Sequence, residues 1–182
     1  MGQPLVPAPA LLLVAAFSRY PAALDWAKER LAGAWGPIAR SSEAYPFVET
    51  NYYEATMGAG LIKRLFALAT RIDPARLPEL KLATNAWEAE YAALKRHPEP
   101  RPLNLDPGYL TLSKLVLAST KDFAHRIYLG QGIYAEITLF FRRGRWEHHE
   151  WTFPDYRRPE VQAFLSQCRD DLRHFVREDH AA

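Results

Sequence analysis

The apolar run Ala10–Phe17 constrains the fold of this chain more than any other feature. A short unbroken apolar run is the pattern of a strand buried in a core. It falls far below the roughly 18–20 residues that a membrane span needs. No Lys or Arg precedes it and Arg19 follows closely, so the basic start of a secretory signal is missing. Val6 does not fit the myristoylation pattern either. The run therefore reads as a buried β-strand, Leu11–Phe17, behind a flexible Pro-containing leader, residues 1–9.

Length and composition suit such a core. At 182 residues, 48% hydrophobic and 24% charged, the chain reads as one globular α+β domain, residues 1–182, that needs no staples. The formal charge is +2, from 23 Lys and Arg against 21 Asp and Glu, which is not the clustered excess of a dedicated phosphate-backbone binder. Cys168 is the single cysteine, so an internal disulfide and a Cys-based zinc site are excluded. That usage fits a reducing cytoplasm.

After the first strand the pattern alternates. Tyr20-Pro21 opens a helix that Gly36-Pro37 ends, with Leu24, Leu31 and Trp35 at helical spacing. Phe47–Tyr53 reads as a second strand. Leu61–Ile72 fits strand or helix, and the strand reading pairs it with Phe47–Tyr53 through a short connection. Asp73-Pro74 begins a helical region lasting to about Arg96, in which Asn85 followed by Glu88 also matches a capping box. Lys81, Asn85 and Glu88 share one face of that helix, the pattern of a solvated surface. Residues 97–103 are Pro-rich and read as an internal linker. If the next strand, within Tyr109–Ser119, returns to the sheet, the order becomes a ferredoxin-like split βαβ core. An antiparallel β-meander would extend it: His125–Leu129, a Gly130-Gln131-Gly132 turn, Ile133–Phe141, a turn at Arg142–Arg145, and Trp146–Phe153. Pro159 starts a C-terminal helix whose buried face carries Val161, Phe164, Leu165, Cys168, Leu172, Phe175 and Val176.

Polar residues concentrate between Asn104 and Tyr156. In the meander, a turn symmetric about Gln131 sets Arg126 opposite Glu136 and Tyr128 opposite Tyr134. Strand alternation then puts Ile133, Ala135, Ile137 and Leu139 on the other face. His125, Glu136 and Asp106 are the candidate catalytic residues, His125 because its ordinary pKa lies near neutrality. Asn104, Tyr109, Lys114, Lys121, Arg126, Tyr128, Tyr134 and Asp155 are the candidate ligand contacts, with the basic groups suited to a phosphate or carboxylate. Asp106, Glu136 and Asp155 offer oxygens to a hard divalent cation, although no spacing matches a metal motif. The Asp106-Pro107-Gly108 composition also suits a plain turn.

Two functions fit these residues. One is binding, with acid–base or metal-assisted conversion left open, of a small anionic metabolite in a polar cleft. The alternative is an RNA-binding or regulatory interaction module using Arg142, Arg143, Arg145, Arg157 and Arg158. No phosphate-cradling Gly-Lys-Ser/Thr loop, dinucleotide fingerprint or Gly-x-Ser-x-Gly elbow is present. The residues name no cofactor and set no oligomeric state.

Asn104-Leu105-Asp106-Pro107-Gly108-Tyr109-Leu110, Lys114–Ala118, Thr120-Lys121-Asp122, His125–Leu129, Gly132–Glu136 and Trp151–Tyr156 together resemble the signature of a known family. Tyr52-Tyr53-Glu54, Met57-Gly58, Lys81-Leu82 and Thr84-Asn85 resemble it upstream. The family is the uncharacterised prokaryotic domain of unknown function 4416. The resemblance implies a single small domain of bacterial type and carries no activity or catalytic residues with it. Ala55-Thr56 and the Ala-rich start fit its pattern more loosely.

Overall fold

A computed structural model describes residues 2–179. Residues 2–9 are exposed and form neither helix nor strand; Met1, the first residue of the expected leader, lies outside the described residues. The apolar run becomes β1 (Ala10–Ser18), every residue of which is buried. Its two side-chain rows face two different cores. Ala10, Leu12, Val14 and Ala16 pack with Leu24 and Leu31 of α1 (Pro21–Trp35) and Leu80, Trp87 and Tyr91 of α3 (Leu77–Ala93). Leu11, Leu13 and Ala15 pack with Val161, Leu165, Cys168 and Leu172 of α4 (Pro159–Asp179). A central strand with helices over both faces has no side facing water, which is why the run carries no alternation.

The fold is α+β, with four helices among the described residues and a nine-stranded sheet whose pairings are antiparallel. The remaining elements are β2 (Ile38–Ser41), β3 (Tyr45–Pro46), α2 (Glu54–Met57), β4 (Ile62–Ile72), β5 (Leu103–Leu110), β6 (Lys114–Ser119), β7 (Ile127–Gly130), β8 (Ile133–Arg142) and β9 (Arg145–His148). The strands lie in the order β2-β4-β1-β5-β6-β8-β7, with β3 on β4 and β9 on β8.

Several expectations shift. Phe47–Tyr53 is not a strand; Ile38–Ser41 and Tyr45–Pro46 pair with β4 instead. Phe47 and Tyr53 are drawn into a separate aromatic cluster with Phe17, Met57 and Leu61, which a loop serves as well as a strand. Of the Leu61–Ile72 stretch, Ile62–Ile72 is a strand, but it pairs with β1, β2 and β3 rather than with Phe47–Tyr53. Asn85 and Glu88 sit inside α3 rather than at its start. The Pro-rich stretch ends at Pro102, because Leu103 already belongs to β5. The final strand stops at His148, and Phe175 of α4 is 37% exposed.

The meander follows the expected register, with Tyr128 opposite Tyr134 and Ile127 opposite Ala135. A bulge on β8 interrupts the alternation, because Leu115 faces Leu139 while Val116 faces Ile137, leaving Thr138 over. Leu139 therefore joins the core beneath α4, whereas Ile133 and Ala135 stay on the opposite face with Val116 and Ala118.

Asp106-Pro107-Gly108 is not a turn but the middle of β5. β5 pairs with β1 along its whole length but with β6 only from Gly108 to Leu110. Below Gly108 the two strands part, forming a fork. Backbone groups on alternate residues of a strand point to the same neighbour, so Leu105, Pro107, Tyr109 and Thr111 form the row toward β6, as the Thr111 N–H donating to Lys114 O confirms. Pro107 falls in that row and has no N–H with which to continue the ladder. Gly108 sets the closest approach. A Cβ there would stand 2.3 Å from Val116 O and 2.6 Å from Leu117 Cδ2. Gly108→Ala is expected to lower stability by about 1–3 kcal/mol through this overpacking, measured by denaturant unfolding.

Candidate functional site

The fork leaves the Leu105 backbone without a strand partner on one side, and buried peptide groups must be satisfied. Two side chains of α3 satisfy them. Glu88 Oε1 accepts from Leu105 N–H at 2.7 Å, and Lys81 Nζ donates to Leu105 O at 2.9 Å. Lys81 also reaches Asp106 Oδ1 at 3.0 Å, and Asn104 Nδ2 donates to Asp106 Oδ2 at 2.8 Å. Arg101 binds Glu88 Oε2 at 2.9 Å and the Asn104 side-chain oxygen. Burial raises the Asp106 carboxyl, but Lys81, Lys63 and Asn104 outweigh it and hold it below the ordinary aspartate value. For Glu88 the balance is reversed: burial prevails over Lys81 and Arg101, and the carboxyl is raised.

The fork opens into a cavity of about 530 Å³. The aromatic cluster of Phe17, Phe47, Tyr52 and Tyr53 lines it, as do Phe123 and Phe153. Lys63, Lys81, Arg101, Lys121 and Arg126 line it. Four of the five are matched by carboxylates, as Lys63–Asp155, Lys81–Asp106, Arg101–Glu88 and Arg126–Glu136. Among the described residues Lys121 has no acidic partner, and its ammonium lies 3.9 Å from the centre of the Tyr52 ring. The nearby Lys121 ammonium also lowers the Tyr52 hydroxyl below its ordinary pKa.

Of the expected site residues, Asn104, Asp106, Lys121, Arg126, Glu136 and Asp155 meet around this cavity. The Arg126–Glu136 pair forms as the register implied, with Nε donating to Oε2 at 2.7 Å. It is a buried clamp rather than a solvated pair, because Arg126 Nη1 also binds Ser119 Oγ and Lys121 O. His125 touches Glu136 Oε2 at 3.2 Å but does not line the cavity; its ring stacks between Phe123 and Trp151. Tyr109, Lys114, Tyr128 and Tyr134 also stand outside it. The Tyr109 side chain lies on the sheet face opposite those of Asn104 and Asp106 and packs beneath the helices, and Lys114 lies at the far end of β6. Tyr128 and Tyr134 pack against each other on the outer hairpin.

The acidic trio does not gather for a metal ion: among the described residues no three His, Cys, Asp or Glu side chains are grouped to hold one. Asp106, Glu136 and Asp155 instead each face their own cation. Of the arginines considered for RNA, Arg157 binds the Thr152, His149 and Glu150 carbonyls and Arg158 pairs with Glu49. Burial pushes the Cys168 thiol up to about 12, consistent with a packing role.

Lys63, Lys81, Asn85, Arg101, Tyr52, Tyr53 and Tyr156 also line the site and were not among the expected contacts. The signal for Lys63 was a cation in the row of β4 that carries Leu65 and Ala67 into the core. For Lys81, Asn85 and Glu88 the shared helical face was visible, but it faces the fork rather than solvent. Tyr52 and Tyr53 both reach the cavity because no strand alternation separates them.

The model of the family described as Domain of unknown function (DUF4416) matches residues 8–172. The chain belongs to that family. No curated protein and no solved structure matches it. The DUF4416 match covers every strand of the sheet and every cavity-lining residue named above.

Lys81→Met in this DUF4416 chain is expected to cost about 1–3 kcal/mol at pH 7, since it takes the cation from half-buried Asp106 and the donor from Leu105 O. The depressed Asp106 carboxyl contributes stability above its unfolded value near 3.8, and that contribution is lost as pH falls through the lower folded value. The gap between wild type and Lys81→Met should therefore narrow toward pH 3, read by urea unfolding across pH.

Proposed function

We propose that this chain binds a small metabolite with one anionic group in the fork cavity. The observation that carries the reading is the charge pattern of the lining: four cations cancelled in pairs and a fifth, Lys121, left over at an exposed position. Cancelled pairs make a stiff, hydrogen-bonding wall, while the surplus cation supplies the attraction that favours an anion. A single surplus charge suits a carboxylate or a phosphate monoester better than a polyphosphate. If the bound molecule is converted, acid–base work falls to Asp106 and Glu136, which meet the cavity, rather than to His125.

The strand order β2-β4-β1-β5 with α1 and α3 over one face supports reading this part as a ferredoxin-like split βαβ unit, to which β6–β9 add the meander. The single sheet and the extent of the family match support one domain over 1–182. The single cysteine supports a reducing, cytoplasmic setting, and the family resemblance a bacterial one. No helix among the described residues is long and apolar enough to cross a membrane.

A calorimetric and thermal-shift screen of monocarboxylates and phosphate monoesters tests the binding reading. A true ligand raises Tm by mass action. Lys121→Glu is expected to weaken its binding at least about tenfold, or about 1.4 kcal/mol, while leaving unliganded stability within about 0.5 kcal/mol. A screen without a stabilising compound, or a hit bound equally by Lys121→Glu, would falsify it.

A further inference from the structure

Three side chains at the inner end of the cavity keep hydrogen-bonding capacity that no described protein group uses. Asp155 is fully buried, and its Oδ2 accepts from Lys63 Nζ at 2.6 Å and from Tyr45 Oη at 3.3 Å. Its other oxygen, Oδ1, has no partner among the described residues. Tyr156, 1% exposed, has a hydroxyl with no partner among the described residues. Lys63 is buried as well and spends one of its three N–H donors on Asp155. Its ammonium stands 4.4 Å from the Tyr156 ring centre and 4.9 Å from that of Phe47. Asp155, Tyr156, Lys63 and Phe47 line the same cavity.

Unmet buried acceptors and hydroxyls lower stability, and native proteins keep few of them. Their grouping here also selects among ligand groups. A carboxylate placed at this end would face Asp155, and an ammonium would face Lys63; each meets a like charge. A neutral group with an acceptor and a donor side by side meets neither. The surrounding rings of Phe17, Phe47 and Tyr156 favour a flat group with apolar faces over a polyhydroxyl one.

Resting on the anion-binding reading above, we infer that the inner end of the ligand is a planar amide-type edge, O=C–N–H. Its carbonyl accepts from Lys63 Nζ, its N–H donates to Asp155 Oδ1, and the Tyr156 hydroxyl gives a second donor to the carbonyl. The anionic group then lies toward Lys121. A lactam ring joined to a phosphate monoester or carboxylate has this chemistry.

Titration calorimetry on the full chain tests the inference with uridine and inosine 5′-monophosphates, whose rings carry that edge. Their N-methylated counterparts, 3-methyluridine and 1-methylinosine 5′-monophosphates, block the N–H, and ribose 5-phosphate lacks the ring. At least one lactam nucleotide should bind about tenfold or more tightly than its methylated partner and than ribose 5-phosphate, because a site built to pair an N–H rejects the analogue without it. Tyr156→Phe should weaken binding of that nucleotide while its own unliganded Tm stays level or rises, since it deletes a hydroxyl that no protein group meets. Lys121→Ala should weaken all anionic probes alike. Equal affinity for the methylated and unmethylated probes overturns the amide edge and leaves the anion reading standing. A Tyr156→Phe protein with a lower Tm and unchanged affinity assigns the hydroxyl to structure and overturns its role. No binding of any probe overturns the inference, while the monoanion screen decides the anion reading separately.

Discussion

The structure turns on two hydrogen bonds to one residue. Where β5 parts from β6, the Leu105 N–H and C=O face a gap instead of a strand, and Glu88 and Lys81 of α3 meet them. Without those side chains the fork would bury an unpaired peptide group, which is costly enough that sheets rarely open internally. With them, the sheet opens and stays folded. The charges introduced for this purpose then need partners, and Asp106, Arg101 and Asn104 supply them. The polar network of the cavity is thus a consequence of the split in the sheet.

On the other side of the gap a second network performs a similar task. Arg126 joins the end of β6, the loop after it and Glu136 of β8. Ion pairs as enclosed as Arg126–Glu136 and Lys63–Asp155 add little net stability, because desolvation offsets their attraction. They do fix geometry, since removing one partner leaves the other buried and uncompensated. Both walls of the cavity are therefore held in place before any ligand enters, which limits the ordering cost of binding.

The sequence made the elements with a strong local signal legible. The unbroken run of β1, the Pro-started helices, the Gly-Gln-Gly hairpin and the Tyr128–Tyr134 register all follow from short-range chemistry. Arg126–Glu136 followed from that register. What stayed hidden depended on contacts distant in the chain. Lys81 and Glu88 looked solvated because a helix face does not declare what it packs against, and their partner lies in another element. Asp106-Pro107-Gly108 looked like a turn because its composition suits one; pairing with β1 on its other edge keeps it extended. Lys63 and Asp155 are 92 positions apart in the chain, so no local pattern could join them. The bulge at Thr138 likewise reflects the fit of β8 to β6.

Pro107 and Gly108 together also act as a length setting. The first ends the β5–β6 ladder and the second permits the tight contact where it ends. A strand rises about 3.4 Å per residue and repeats its facing every two residues. Moving this dipeptide two positions toward Leu103 would zip one further repeat of the ladder and shorten the cavity by about 7 Å, whereas moving it the other way would deepen the cavity by the same step. The volume available to a ligand is therefore tied, in strand-repeat increments, to the position of a single peptide unit, and a shift toward Leu103 would also take from Glu88 the N–H it meets at position 105.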